Sequence, residues 1–264
     1  MIGKLLRWLG LRPPPSIPAQ LWQATLAHYD FLRCLEPAEQ AQLKTLCEAF
    51  LASKEFSGAH GLPLTDALCV AIAAQACLPI LHLGLETYRD WVGIVVYPNE
   101  FVVARRIEDE DGVVHEFDDV LSGEAWSGGP VIISWRDAAS DNGDYNVVIH
   151  EFAHKLDMQN GEADGVPALP PEISRRHWET VLLAAYDDFC ARVDADIETR
   201  LDPYAAEDPA EFFAVISEAF FGAPELVASE YPVLYTLLQG YYRQDPLARA
   251  IRFKAEPMPS QPSR

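Results

Sequence analysis

Positive charge is the scarcest resource of this sequence: 20 Lys and Arg stand against 40 Asp and Glu, a formal charge of −20. A surface of that sign repels phosphate backbones. Direct nucleic-acid binding through a basic patch is therefore excluded, and any action on DNA has to pass through a protein partner. Cysteine is sparse as well. The five thiols, Cys34, Cys47, Cys69, Cys77 and Cys190, are odd in number and scattered, with no Cys-x-x-Cys pair. That excludes a disulfide scaffold and a thiolate metal site, and it fits a reducing compartment, so a cytoplasmic protein is expected. Long apolar runs are missing too. The most apolar stretch, residues 68–85, is interrupted by Gln75, Pro79 and His82 and reads as buried core rather than a membrane span. Near the start, Arg7 and Arg12 break up the leucines and no small-x-small cleavage site follows, which argues against a signal peptide. Leu5, Leu6 and Leu9 beside Lys4 and Arg7 have the makings of a short basic membrane-touching segment. A loosely held arm over residues 1–17 is the preferred reading.

What is present is a globular composition. The 264 residues are 49% hydrophobic and 11% aromatic, enough to bury a substantial core. One domain is expected over residues 18–256, followed by a frayed Pro/Ser-rich tail at 257–264. Residues 18–90 read as helical, with Leu43, Leu46, Cys47 and Phe50 at helical spacing behind a start at Glu36-Pro37. From Gly93 the period changes. Short β-branched and aromatic runs at 93–97, 101–104, 113–117 and 130–135 predict a small antiparallel or mixed sheet, hence an α+β fold. The acidic run at 108–112 lacks the ligand spacing of a calcium loop and reads as a solvated hairpin turn. Helices return from about residue 144, around 178–193, from Pro209 to about Phe221, and over roughly 231–253.

The chemistry concentrates in residues 145–157, YNVVIHEFAHKLD. Tyr145, Val148, Ile149, Phe152 and Leu156 recur at three- and four-residue steps and give the helix one apolar stripe. His150 and His154 are four apart and share a face, so both imidazoles can hold one zinc ion. Glu151 points aside, where it can serve as a general base without ligating. The strand at 131–135 precedes this helix, and its pattern leaves open whether it is a sheet edge, able to take a peptide as a further strand, or an interior strand.

A catalytic zinc takes three protein ligands and keeps one position open. Asp157 follows on the same face, but three ligands in line on one straight helix converge poorly, so it suits a supporting role toward an imidazole N–H or a salt bridge. No third histidine follows; Asn160-Gly161 stands at that spacing. The helix opening at Asp208-Pro209 offers Glu211 and Glu218. Glu211 also fits a capping box, with Asp208 as N-cap and Pro209 at the first turn. Glu218 sits mid-helix among apolar residues, where a carboxylate requires a cation or a donor. Residue physics leaves the choice between them open.

Across nearly its whole length the chain resembles the Mlc titration factor A (MtfA) family of zinc peptidases. The likeness rests on LPILHLGLE at 78–86, VVYP at 95–98, FVV at 101–103, IHEFAHKLD at 149–157, Asn160-Gly161, YAA at 204–206 and EAFF at 218–221. The resemblance implies a zincin-like metallopeptidase domain, distantly similar to the lethal-factor site. It implies His150, His154 and Glu211 as ligands of one zinc ion, Glu151 as catalytic base and Tyr204 beside the metal. It further implies aminopeptidase-like cleavage of a peptide substrate. Binding of the glucose repressor Mlc, relieving repression of the phosphotransferase genes, is implied as well. The contrasting expectation is a non-catalytic protein that sequesters the repressor and carries a structural zinc.

Overall fold

The computed structural model describes residues 16–108, 114–141, 143 and 145–255. The expected arm, apart from its last two residues, the expected tail and residues 109–112 of the acidic turn lie outside them. Eleven helices and six strands follow in chain order. Helices α1 (Ala19–His28), α2 (Asp30–Arg33) and α3 (Pro37–Ser53) lead to strand β1 (Glu55–Gly58) and helix α4 (Asp66–Cys77). Then come β2 (Gly93–Tyr97), β3 (Phe101–Glu108), β4 (Val114–Leu121), β5 (Gly123–Ala125) and β6 (Val131–Ser134). Helices α5 (Trp135–Ala138), α6 (Val147–Asp157), α7 (Arg175–Asp194), α8 (Pro209–Gly222), α9 (Pro224–Glu230), α10 (Pro232–Tyr242) and α11 (Pro246–Ala255) complete the described chain. The protein is mostly helical with a small mixed sheet, an α+β arrangement.

Local chemistry explains most of these boundaries. Helix α3 opens on a reciprocal capping box, in which the Glu36 N–H donates to Glu39 Oε2 at 3.0 Å, with Pro37 at the first turn. Its stripe residues Leu43, Cys47 and Phe50 are fully buried. Helix α4 is buried nearly all round, which is why its apolar run lacks a polar face. Among the described residues no single helix is long and apolar enough to cross a membrane.

Three expectations are refined. A strand, β1, interrupts the stretch read as helical; Glu-Phe-Ser-Gly has no β-branched residue, and it becomes a strand by pairing in parallel with β2. The region read as one sheet divides into two. The order β1-β2-β6-β5 makes a mixed four-stranded sheet, while β3 and β4 form a separate antiparallel ladder. Strand β6 is interior, and the edge beside α6 is β5, which runs antiparallel to it. Finally, the single last helix is two, because Arg243 adopts a left-handed conformation (φ 54°) and Pro246 restarts the helix.

Helix α6 lies across this framework. Phe152 projects from its back into an aromatic cluster, 5.2 Å from Tyr88, 5.5 Å from Trp91 and 5.8 Å from Phe50 between ring centroids. The Tyr88 and Trp91 contacts are edge-to-face, a geometry that holds a helix more specifically than aliphatic burial alone. On its other flank α6 packs against α8, whose Phe212, Phe213, Ile216 and Phe220 are fully buried.

Candidate metal centre and cleft

Asn146 starts the site by capping α6: its side-chain oxygen accepts from the Ile149 N–H at 2.9 Å, and its amide donates to Gln75 Oε1 at 2.8 Å. From that fixed start His150 and His154 emerge one turn apart, with their Nε2 atoms 3.2 Å from each other. Glu211 reaches in from the first turn of α8. Its Oε2 lies 3.0 Å from His150 Nε2 and 3.4 Å from His154 Nε2. Ligand atoms 2.0–2.2 Å from a tetrahedral ion are roughly 3.3–3.6 Å apart. The three atoms therefore stand near the spacing of three corners of such a shell, and His150, His154 and Glu211 could hold one metal ion.

The capping alternative for Glu211 does not hold. Asp208 caps α8 alone, its Oδ1 accepting from the N–H groups of Ala210 (2.8 Å) and Glu211 (2.9 Å). The Glu211 side chain is left to turn toward the imidazoles. Glu218, two turns further on, accepts from the Asn146 N–H and lies 2.7 Å from His150 Nδ1. With a metal ion on Nε2, Nδ1 would carry the proton and donate a hydrogen bond to Glu218, which would fix the ring's tautomer and direction. The supporting role toward an imidazole expected of Asp157 thus falls to Glu218. Asp157 instead accepts from the Gly165 N–H at 2.7 Å. Gly165 has φ +78°, and a Cβ there would meet the Pro209 carbonyl at 2.6 Å, so glycine allows the loop after α6 to pass against the start of α8.

Electrostatics at the cluster suit a cation. Glu151, Glu211 and Glu218 bring three carboxyl groups together with two imidazoles in a largely buried volume, where their negative charge has to be met by protons on the cluster or by a metal ion. Burial raises the Glu151 carboxyl to about 7, helped by the charges of Glu211 and Glu218 and opposed by His150 and His154. Burial also opposes ionisation of Glu211, but its hydrogen bonds to His150 and His154 outweigh that and hold it well below the usual carboxylate range. For His150, burial alone would push the imidazole down, whereas bonding to Glu211 and Glu218 raises it. Glu151 Oε2 is buried with no hydrogen-bond partner among the described residues, and Glu151 lines the same cleft as the three convergent residues.

The site opens into a cleft of about 600 Å³ lined by Tyr145, His150, Glu151, His154, Tyr204 and Glu211, with β5 along one side. Tyr204 stands in the 3-10 turn Pro203–Ala206, whose start Asp202 caps through the Tyr204 N–H at 2.9 Å. Its ring centroid is 6.4 Å from that of His150. All five residues singled out from the sequence therefore meet in one place. Sequence reasoning missed Tyr145, counted only in the apolar stripe, and strand β5. Burial raises the Tyr145 hydroxyl to about 12, against a lowering hydrogen bond from Ser122.

Two imidazoles on one helix, completed by a carboxylate from a second, make a three-ligand set of the kind found in metal-dependent hydrolases. The chain belongs to the glucose-regulated metallo-peptidase M90 family, whose model matches residues 8–243. It is 40% identical over 255 residues to Mlc titration factor A of Serratia proteamaculans (strain 568), covering 94% of this chain and 96% of that protein. Mlc titration factor A of Escherichia coli (strain SMS-3-5 / SECEC) is 41% identical over 237 residues, 88% of each chain. The protein of that name from Shigella boydii serotype 18 is 41% identical over 234 residues, 86% of this chain and 87% of its own. A metallo-peptidase family of this kind implies a divalent metal, and the convergent triad is a place for one.

Proposed function

We propose that this chain is a zinc-dependent, aminopeptidase-like peptidase of zincin type, in which His150, His154 and Glu211 hold one zinc ion and Glu151 is the general base. The observation that carries the reading is the convergence of three ligand atoms in one cleft with a buried carboxylate oxygen that has no partner among the described residues. When bound, the ion supplies a Lewis acid that polarises the scissile carbonyl and acidifies water. Glu151 Oε2 takes a proton from the attacking water as its oxygen bonds to the carbonyl carbon. The same carboxyl then returns that proton to the amine as the C–N bond breaks. The Tyr204 hydroxyl donates to the oxygen on which charge develops. Glu218 keeps His150 oriented throughout, and the substrate's main chain adds to edge strand β5.

The name of the relatives, Mlc titration factor A, supports a second part of the proposal: a cytoplasmic protein that binds an Mlc-type repressor and so acts on the phosphotransferase genes. A charge of −20 suits contact with a DNA-binding protein rather than with DNA. A purely sequestering protein with a structural zinc has no use for a buried carboxylate beside the ligands, which favours the peptidase. Glu151→Gln decides: the variant is expected to keep its metal and lose about a hundredfold or more in peptide hydrolysis. Near-normal hydrolysis in that variant overturns the assignment. Repressor binding by the same variant separates the two activities.

A further inference from the structure

We propose that Gly123 of edge strand β5 is the positioning residue for Glu151, its bare Cα forming the wall that sets where the base stands. The inference rests on the reading of Glu151 as general base. A Cβ built at Gly123 would lie 2.3 Å from Glu151 Oε1, 2.6 Å from Cγ and 2.7 Å from Cδ. Contact distances between such atoms are about 3.5–4.0 Å, so no side chain fits there while Glu151 keeps its place. Gly123 is absent from the positive-φ glycines, so any residue could adopt its backbone conformation. Space, not conformation, requires glycine here.

The strand cannot back away to make room. Gly123 pairs with Ile133 on β6, and just before it the Ser134 N–H donates to the Ser122 carbonyl at 2.7 Å. Just after it, the buried Lys155 amine, from α6 itself, donates to the carbonyls of Trp126 and Gly129, the latter at 2.9 Å. Sheet and helix thus both pin β5. The three nearest atoms to an added methyl all belong to the Glu151 side chain. The disturbance therefore falls first on the base. The same three-residue strand lines the cleft and stands against the base, so one element borders both.

The test is a double-mutant cycle with metal content and structure as further readouts. Gly123→Ala is expected to lower kcat about a hundredfold, the cost of a misplacement near 1 Å, with KM changed by less than about threefold. Metal stoichiometry and the unfolding midpoint stay at the parent values, and a crystal structure shows the Glu151 carboxylate displaced. Glu151→Ala removes all three of the atoms that the added methyl would meet; in that background Gly123→Ala is expected to lower the residual kcat by less than about threefold further. Should Gly123→Ala alone fail to fold, restoration of folding by Glu151→Ala reports the same coupling. Near-normal kcat in Gly123→Ala, an equal loss in both backgrounds, loss of metal, or an unfolded protein that Glu151→Ala does not restore overturns the proposal. Retained hydrolysis in Glu151→Gln sinks the general-base reading instead, so the two failures are distinguishable.

Discussion

Glu218 shows how much one residue's role depends on what it touches. Mid-helix and nearly fully buried, it accepts from the Asn146 N–H and the His150 ring, so it ties the start of α6 to the direction of one candidate ligand. Removing its charge leaves the ligand count intact but frees the ring. Glu218→Gln is expected to weaken metal affinity by about 10–100-fold, read by chelator competition, while the protein stays folded. Asp208 makes a contrasting case on the same helix. Its carboxylate caps α8 without touching the imidazoles, so Asp208→Ala should cost about 0.5–2 kcal/mol in urea unfolding and leave metal stoichiometry unchanged. The pair separates residues that build the centre from those that build the helix carrying it.

At the level of elements, helix α6 and strand β5 behave as one unit. The link is Lys155, whose side chain is almost fully buried and whose amine is held by two carbonyls of the β5–β6 turn. Burial drives its amine down to about 8, with the Glu151 charge acting against that. A buried ammonium persists only where its donors are used. Lys155→Met leaves those carbonyls short of a donor and is expected to lower stability by about 1–3 kcal/mol, measured by denaturant unfolding. Strand β5 was illegible in the sequence for a related reason. Gly-Glu-Ala has no alternation and no β-branched residue, and it is a strand only because β6 pairs with it. Strand β1 likewise owes its conformation to pairing, with β2.

Across the whole molecule, the ends of the described chain are fastened by charge. Arg249 of α11 grips Glu39 of α3 through Nε at 3.1 Å and a terminal nitrogen at 2.5 Å, and Gln244 and His82 stand alongside. Burial by itself would raise the Glu39 carboxyl. The Arg249 hydrogen bonds and charge, the Glu36 N–H and His82 outweigh it and hold the group below the usual range. A carboxyl lowered on folding stabilises the protein above its unfolded-state value, about 4.3, and loses that contribution as pH falls through the folded-state value. The stability difference between parent and Glu39→Gln is therefore expected to be full near neutral pH and to shrink in acid. Denaturant unfolding at several pH values checks this, and a difference that does not change with pH counts against it.

The sequence by itself determined what is local. The i, i+4 pair of His150 and His154, the neighbouring Glu151, the apolar back of α6 and the start of α8 at Asp208-Pro209 all follow from spacing along one helix, where a residue's face is set within a turn or two. Family resemblance extended that reach to Glu211 and Tyr204. Only the tertiary structure decided which carboxylate meets the imidazoles and which orients them, because Glu211 and Glu218 lie on the same helical face and differ in where α8 crosses α6. It alone decided that β6 is interior and that Gly123 lies against Glu151. Such facts depend on pairing and packing between segments far apart in the chain, and no periodicity within either segment encodes them.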